Sequence, residues 1–174
     1  MNIDNNILFF SLIVLCMSIV ARLRWRSLAF SAIKHLIRRK YPQVKSLTTQ
    51  QLAQWLQDPA QLILLDARNQ AEYQQSHLQH ARWFDPQHSC PTEDRNTPVV
   101  VYCSVGYRSA RVATVLTAAG YTQVYNLEGS IFQWVNEERP VFRNGKQTTR
   151  VHPYNLTWGR LLKPEHRAEV EQAQ

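Results

Sequence analysis

The sequence has few cysteines and lacks the arrangements of them that a disulfide-stabilised or zinc-binding domain requires. Its three cysteines, Cys16, Cys90 and Cys103, are widely spaced and form no Cys-x-x-Cys pair. An odd and dispersed set of thiols favours a reducing compartment. Five histidines also show no metal-ligand spacing: His35, His80, His88, His152 and His166. We therefore predict no metal site and no cofactor.

Acidic residues are missing from one segment of the chain. Residues 22–45 contain eight Lys or Arg and no Asp or Glu, whereas the rest of the chain holds twelve basic and thirteen acidic residues. The formal charge of +7 therefore belongs to this N-terminal segment. Because the remainder is nearly neutral, the sequence argues against nucleic-acid binding, which favours a basic face on the folded domain.

Long apolar runs are scarce, and the most apolar one, at residues 7–21, has fifteen residues and no charge. A helix of this length reaches about 22 Å, less than the roughly 30 Å of a bilayer core. Flanking residues can extend it, so we predict a transmembrane or anchor helix over residues 1–24. A signal peptide would carry its positive charge before the run, and a soluble helix would need a polar face. The arginines that follow predict a single-pass protein with a cytoplasmic catalytic domain.

Residues 25–43 are predicted to form a second, basic amphipathic helix that ends near Tyr41, the residue before Pro42. One apolar face is shared by Leu28, Ala32, Ile33, Leu36 and Ile37. Such a helix is expected to lie on anionic lipid headgroups. The alternative is an ordinary helix that packs on the domain.

Residues 44–140 alternate between short apolar runs and helical patterns. The runs QLILLDA, VVVYC and QVYNL predict buried strands, and ARWF predicts a small one. Helical patterns alternate with these runs, except that DPQHSCPTEDRNTP is polar and rich in turn residues and predicts a loop. This alternation predicts an α/β domain with a mostly parallel sheet. Residues 141–174 form a C-terminal extension that is too apolar for a disordered tail, because it contains Tyr154, Trp158, Leu161 and Leu162. We expect it to pack on the domain or the N-terminal helix, or to bind a partner.

The strand VVVYC ends at Cys103, and a helix begins a few residues later. In α/β sheets, ligands bind beyond the carboxyl ends of strands, near helix N-termini. Gly106 allows a backbone conformation that other residues resist, so we predict that several loop N–H groups point inward and form an anion cradle. This cradle and the positive end of the helix would stabilise a thiolate there. We predict Cys103 as a nucleophile, with the alternative of a buried structural cysteine. The rest of the predicted substrate-binding loop is Ser104, Val105, Gly106, Tyr107, Arg108 and Ser109.

Three segments, in this order, resemble the rhodanese-type sulfurtransferases: LLDARNQAEYQQSHLQHA, CSVGYRSA and VYNLEGSIFQW. The resemblance covers residues 44–139, a single rhodanese domain. It implies a three-layer α/β fold, here preceded by the N-terminal hydrophobic helix. Three residues, Ser76, His80 and Ser130, stand where the family commonly has glycine, and we expect these differences to affect turns.

The resemblance implies sulfur transfer from a donor such as thiosulfate to cyanide or a thiol, through a persulfide on Cys103. In this interpretation the anion cradle and Arg108 hold the anionic donor and the charge of the persulfide. The resemblance also implies structural support from four further residues: Asp66, Arg68, Glu72 and His77. A second hypothesis is a membrane-tethered persulfide relay, in which a partner protein exchanges the sulfur and free thiosulfate reacts poorly.

A phosphatase is the third hypothesis. Phosphatases related to this fold have five residues between the cysteine and the arginine, which form a ring around a phosphate. Here four residues separate Cys103 from Arg108. A smaller ring suits sulfur better than a tetrahedral oxyanion, so the loop length favours sulfur chemistry.

Overall fold

A five-stranded parallel sheet forms the centre of the computed structural model, which describes residues 3–85 and 94–169. Its strands are β1 (Lys45–Leu47), β2 (Ile63–Asp66), β3 (Arg82–Trp83), β4 (Val99–Tyr102) and β5 (Val124–Leu127). Their order across the sheet is β1-β5-β4-β2-β3, and every neighbouring pair is parallel. The predicted parallel α/β fold is thus confirmed, and β4 occupies the middle of the sheet.

The helices are α1 (Ile3–Lys40), α2 (Thr49–Trp55), α3 (Gln70–Gln75), α4 (Tyr107–Ala118) and α5 (Ser130–Asn136). They cover both faces of the sheet. Along β4, Val100 and Tyr102 pack into the core that includes α2 and α5, whereas Val99 and Val101 pack toward α4. Successive strand residues point to opposite faces, so a run of apolar residues such as VVVY is what a strand buried on both sides requires.

The N-terminal segment differs from the prediction in two ways. First, α1 is one continuous helix from Ile3 to Lys40, where we predicted a break near residue 24. Second, no helix within the described residues is long and apolar enough to cross a membrane, so the transmembrane anchor is not supported. The uncharged run is short, and Arg22 and Arg24 follow it. The cytoplasmic location stays a prediction.

The C-terminal half of α1 packs on the domain, which was the alternative to a headgroup-bound helix. Phe30 and Ile37 are buried, and Ile33 packs against the same core. Arg38 forms an ion pair with Glu128 at 2.6 Å. The predicted apolar face is only partly used, because Leu28, Ala32 and Leu36 are exposed while Phe30 turns inward.

The C-terminal extension is also folded onto the domain. Its elements are a hairpin of β6 (Val141–Arg143) and β7 (Lys146–Thr148), the short helix α6 (Leu156–Gly159) and a 3₁₀ turn at Pro164–His166. Val141, Val151, Leu161 and Leu162 are buried in the core that contains Phe132. Cys90, in the segment 86–93, lies outside the described residues, as does the side chain of Cys16.

Candidate active site

Cys103 follows directly after β4 and is almost fully buried, with 1% of its surface exposed. The backbone N–H of Gly106 donates a hydrogen bond to its Sγ at 3.2 Å. The hydroxyl oxygen of Ser109 lies 3.5 Å from the same sulfur. Gly106 has φ +108°, in the left-handed region where side chains are strained. This conformation curls the loop back so that a backbone N–H group is directed at the sulfur.

The start of α5 holds the backbone of the cysteine loop. The N–H of Cys103 donates to Oγ of Ser130 at 3.1 Å, and that hydroxyl donates to the carbonyl of Leu127 at 2.9 Å. The N–H groups of Ile131 and Phe132 donate to the carbonyls of Cys103 and Ser104. The N–H of Cys103 is therefore held by a side chain and does not point into the predicted anion cradle. Sequence reasoning had assigned Ser130 only to a turn.

Arg108 forms a two-point ion pair with Glu72, at 2.7 and 2.8 Å. The same guanidinium donates to Oγ of Ser104 at 2.9 Å, and that hydroxyl donates to Glu72 at 3.1 Å. Burial alone would raise the pKa of Glu72, but the hydrogen bonds and charge of Arg108 outweigh it, so this pKa lies below its usual value. Burial alone would lower the pKa of Arg108, but the hydrogen bonds and negative charge of Glu72 outweigh this effect, so the pKa lies above its usual value. The arginine predicted to hold an anionic donor thus already has a buried carboxylate partner.

Asp66 and Arg68 form a second ion pair, and both side chains are fully buried. Asp66 accepts from the backbone N–H, Nε and Nη2 of Arg68, and Nη2 also donates to the carbonyl of Ser76. Burial would lower the pKa of Arg68, but the Asp66 carboxylate outweighs it and the pKa is raised. This network ties the end of β2 to the end of α3. The structural role expected of the pair stays a prediction.

His77 lies beside this network and contacts backbone and ring atoms. Its ring stacks on Tyr73 with centroids 4.2 Å apart, and its Nδ1 lies 3.1 Å from the carbonyl of Tyr73. Its backbone exchanges two hydrogen bonds with Phe142 of β6. His77 therefore connects α3 to the C-terminal extension, and its support role stays a prediction.

A cavity of about 650 Å³ opens above Cys103. Its walls come from the cysteine loop, the C-terminal part of α1 and the C-terminal extension. The residues that line it are Ile33, Leu36, Ile37, Arg39, Lys40, Cys103, Ser104, Val105, Tyr107, Arg108, Tyr154 and Trp158. Ser109 lies beneath the loop, against Asn126, at 2.6 Å. Our sequence reasoning did not place α1 or the extension at the site, although it had noted that Tyr154 and Trp158 are unusually apolar for a tail.

A tyrosine and a histidine of the extension, Tyr154 and His152, lie near the Arg108–Glu72 pair. The ring of Tyr154 lies under the Arg108 guanidinium at 4.8 Å, and Tyr154 itself has φ +65°. The backbone N–H of Tyr154 donates to Nδ1 of His152 at 3.0 Å. Burial lowers the pKa of His152, and the negative charge of Glu72 offsets only part of this effect.

The fold and the loop define an α/β domain that carries a buried cysteine at the carboxyl end of its central strand. The chain belongs to the rhodanese family, because residues 48–137 match the rhodanese-like domain. It is 32% identical over 102 residues to a sulfurtransferase of Allochromatium vinosum, a match that covers 56% of this chain and 94% of that protein.

Two further matches concern a curated relative and a solved structure. The thiosulfate sulfurtransferase GlpE of Haemophilus influenzae is 32% identical over 100 residues, covering 56% of this chain and 93% of GlpE. The crystal structure of a thiosulfate sulfurtransferase from Pseudomonas aeruginosa superimposes with a TM-score of 0.55, at 19% identity, over 76% of this chain and 26% of that one. The structural match shows the fold alone, whereas the family and the named relatives support a rhodanese-type sulfurtransferase.

Proposed function

We propose that this protein moves sulfane sulfur from a donor, such as thiosulfate or a persulfide, to a thiophilic acceptor through a persulfide on Cys103. The observation that carries the proposal is the position of the Cys103 sulfur. It lies at the end of the central strand, beneath a cavity, with the N–H of Gly106 directed at it. A thiolate held by a backbone donor is a nucleophile that can accept a sulfur atom and release it again.

In the first half-reaction, the Cys103 thiolate attacks the outer sulfur of thiosulfate. The S–S bond of the donor breaks, its electron pair leaves with sulfite, and Cys103 becomes a persulfide anion. In the second, the acceptor attacks the terminal sulfur of the persulfide. The S–S bond on Cys103 breaks, its electron pair returns to Sγ, and cyanide leaves as thiocyanate or a thiol leaves as a persulfide. Two such half-reactions constitute a ping-pong cycle.

A relay between proteins is the second candidate function, and one observation favours it. The guanidinium of Arg108 is paired with the buried carboxylate of Glu72. This pairing weakens the electrostatic attraction between the loop and a small dianion. Thiosulfate would then be a poor donor compared with a protein-bound or organic persulfide. In that case the persulfide forms and persists, and turnover with free thiosulfate is slow.

Phosphoryl hydrolysis is disfavoured by the same pairing. A phosphatase of the related fold requires its arginine to contact phosphate oxygens, whereas Arg108 contacts Glu72 and Ser104. The loop also contains four residues, not five, between Cys103 and Arg108. Release of phosphate from an aryl phosphate, lost in Cys103→Ser, would overturn this conclusion.

The steady-state rate of thiocyanate formation tests the proposal. Thiosulfate is varied at several fixed concentrations of cyanide for three proteins: the wild type, Cys103→Ser and Cys90→Ser. The last of these removes a thiol that lies outside the loop of residues 103–109. We expect parallel double-reciprocal lines for the wild type, no reaction for Cys103→Ser and a normal rate for Cys90→Ser. Loss of the reaction in Cys90→Ser but not in Cys103→Ser would contradict the assignment of the sulfur carrier.

A further inference from the structure

The cavity above Cys103 is more apolar than a site for thiosulfate or cyanide requires. Ile33, Leu36 and Ile37 lie three and four residues apart, so they share one face of α1, and that face lines the cavity. Tyr154 and Trp158 of the C-terminal extension line the same space. Neither element belongs to the matched segment 48–137. The two elements thus add an apolar wall to the cavity, although the cysteine chemistry requires only the loop of residues 103–109.

Several large side chains that line this cavity are partly exposed to solvent. Leu36 is 64% exposed, Tyr154 47% and Trp158 37%. A contiguous group of exposed apolar side chains commonly marks a binding site, whereas single scattered ones do not. The volume of about 650 Å³ lies within the range of sites for organic small molecules, roughly 300–1,000 Å³. It greatly exceeds the volume that diatomic cyanide or five-atom thiosulfate would fill.

The charged residues of the cavity are all basic. Arg39 and Lys40 line it beside the apolar face of α1, and among the described residues that line it there is no Asp or Glu. Lys40 donates a hydrogen bond to the hydroxyl of Tyr107, and this contact lowers the pKa of Tyr107. The positive charge is concentrated at the α1 side of the cavity, whereas Arg108 near the sulfur is paired with Glu72.

We propose that the cavity binds the sulfur acceptor, and that this acceptor is an apolar thiol with an anionic group at its far end. The inference deepens the proposed sulfur transfer and rests on it. The apolar chain lies against Leu36, Ile37 and Trp158, the anionic group lies near Arg39, and the thiol reaches the Cys103 persulfide. The acceptor thiolate attacks the terminal sulfur, the S–S bond on Cys103 breaks with its electron pair returning to Sγ, and the acceptor leaves as a persulfide.

Discharge of a preloaded persulfide tests the inference with the full chain. Cys103 is loaded with sulfur, excess donor is removed, and the second-order rate of discharge is measured with mercaptopropionate, mercaptohexanoate and mercaptooctanoate, each with a terminal thiol. Because each methylene removed from water contributes about 0.8 kcal/mol, the rate should rise roughly fourfold for every methylene that enters the cavity. A rate that is equal for all three thiols would overturn the inference and leave sulfur transfer intact.

Matched variants locate the effect. Leu36→Ser should lower the ratio of the discharge rates with mercaptooctanoate and mercaptopropionate roughly fivefold or more. Leu28→Ser should leave this ratio unchanged, since Leu28 is a 70% exposed leucine of the same helix that lies outside the cavity. Arg39→Gln should reduce the preference for mercaptooctanoate over the uncharged mercaptooctanol. Arg143→Gln, which removes the same charge from the β6–β7 hairpin, should not. Equal effects of Leu36→Ser and Leu28→Ser would contradict the proposed site.

A binding measurement separates failure of the site from failure of the chemistry. Octanoate, which has no thiol, is titrated calorimetrically into the Cys103→Ser full chain, with propionate for comparison. We expect octanoate to bind more tightly than propionate, and Leu36→Ser to remove most of the difference. If octanoate binds in this way but no sulfur donor loads Cys103 in the wild type, the sulfur-transfer function is wrong and the acceptor role is wrong with it. If Cys103 loads but octanoate binds no better than propionate, only the acceptor inference is wrong.

Discussion

The hydroxyl oxygen of Ser130 accepts a hydrogen bond from the backbone N–H of Cys103 at 3.1 Å, and the two residues are 27 positions apart in the chain. Ser130 is fully buried and has φ +50°, a conformation in which L-residues are strained. Its side chain thus supplies a partner for a buried N–H at the cost of backbone strain. The residue at this position controls how the nucleophile is held.

Substitutions at Ser130 should reveal both contributions. Ser130→Ala keeps the strain and leaves the Cys103 N–H without its partner, which should lower the free energy of unfolding by about 1–3 kcal/mol. Ser130→Gly removes the strain as well, so it should be about 1 kcal/mol more stable than Ser130→Ala. Urea unfolding of the three proteins checks this order. A Ser130→Ala variant as stable as the Ser130→Gly variant would show that the backbone strain is negligible.

Gly106 should be required for activity because its backbone conformation directs an N–H at the Cys103 sulfur. Gly106→Ala places a side chain at φ +108°, with its Cβ 3.4 Å from Ile37. We expect the rate of sulfur loading to fall roughly tenfold or more if the loop relaxes and this charge-stabilising hydrogen bond is lost. Gly145→Ala is the matched control, since Gly145 also has positive φ, at +74°, but an added Cβ meets nothing within 4 Å. It should cost stability without slowing loading, and a similar loss of rate in both variants would contradict the role of the N–H.

Removal of Asp66 should unfold the domain far more readily than removal of an exposed carboxylate. Asp66→Asn leaves the fully buried guanidinium of Arg68 without its negative partner, and we expect a loss of about 3–5 kcal/mol. Asp58→Asn, at an exposed position, should change stability by less than about 0.5 kcal/mol. Thermal unfolding of both variants at neutral pH is the measurement. Similar melting temperatures for the two would rule out the bracing role of the Asp66–Arg68 pair.

The Glu72–Arg108 pair should make stability depend on pH in the acid range. Because the pKa of Glu72 in the folded state lies below its ordinary value of 4.5, the unfolded chain takes up the proton first as the pH falls. The stabilisation is complete well above pH 4.5 and is lost progressively as the pH falls from there through the lowered folded value. Glu72→Gln should cost about 1–3 kcal/mol at pH 7, and this difference from the wild type should shrink toward pH 3. A difference that stays constant from pH 7 to pH 3 would contradict the assignment to Glu72.

Features set by neighbouring residues were predictable from the sequence. The VVVY run predicted a buried strand, and Gly106 predicted a backbone conformation that other residues resist, because strand burial and turn conformation depend on local side chains. Of the three positions where glycine is common in the family, His80 and Ser130 have positive φ, whereas Ser76 is extended, at φ −173°. The expectation that these differences affect turns is therefore confirmed for His80 and Ser130.

Features that depend on long-range packing were not predictable. The apolar face of α1 fits a lipid surface as well as a protein surface, and only the packed structure shows that Phe30 and Ile37 are buried against the domain. The pairing of Arg108 with Glu72 joins residues 36 positions apart, and the sequence pattern alone suggested that the arginine would face the donor. The cavity wall formed by Tyr154 and Trp158 likewise arises from the fold of the extension.

The most direct measurement is the mass of the peptide that contains Cys103, after the full chain has been exposed to thiosulfate and, separately, to an organic persulfide. We predict a gain of one sulfur atom on that peptide, lost on addition of cyanide with formation of one equivalent of thiocyanate, and absent in Cys103→Ser. An unmodified Cys103 peptide after both donors, from protein shown to be folded, would contradict sulfur transfer through this residue.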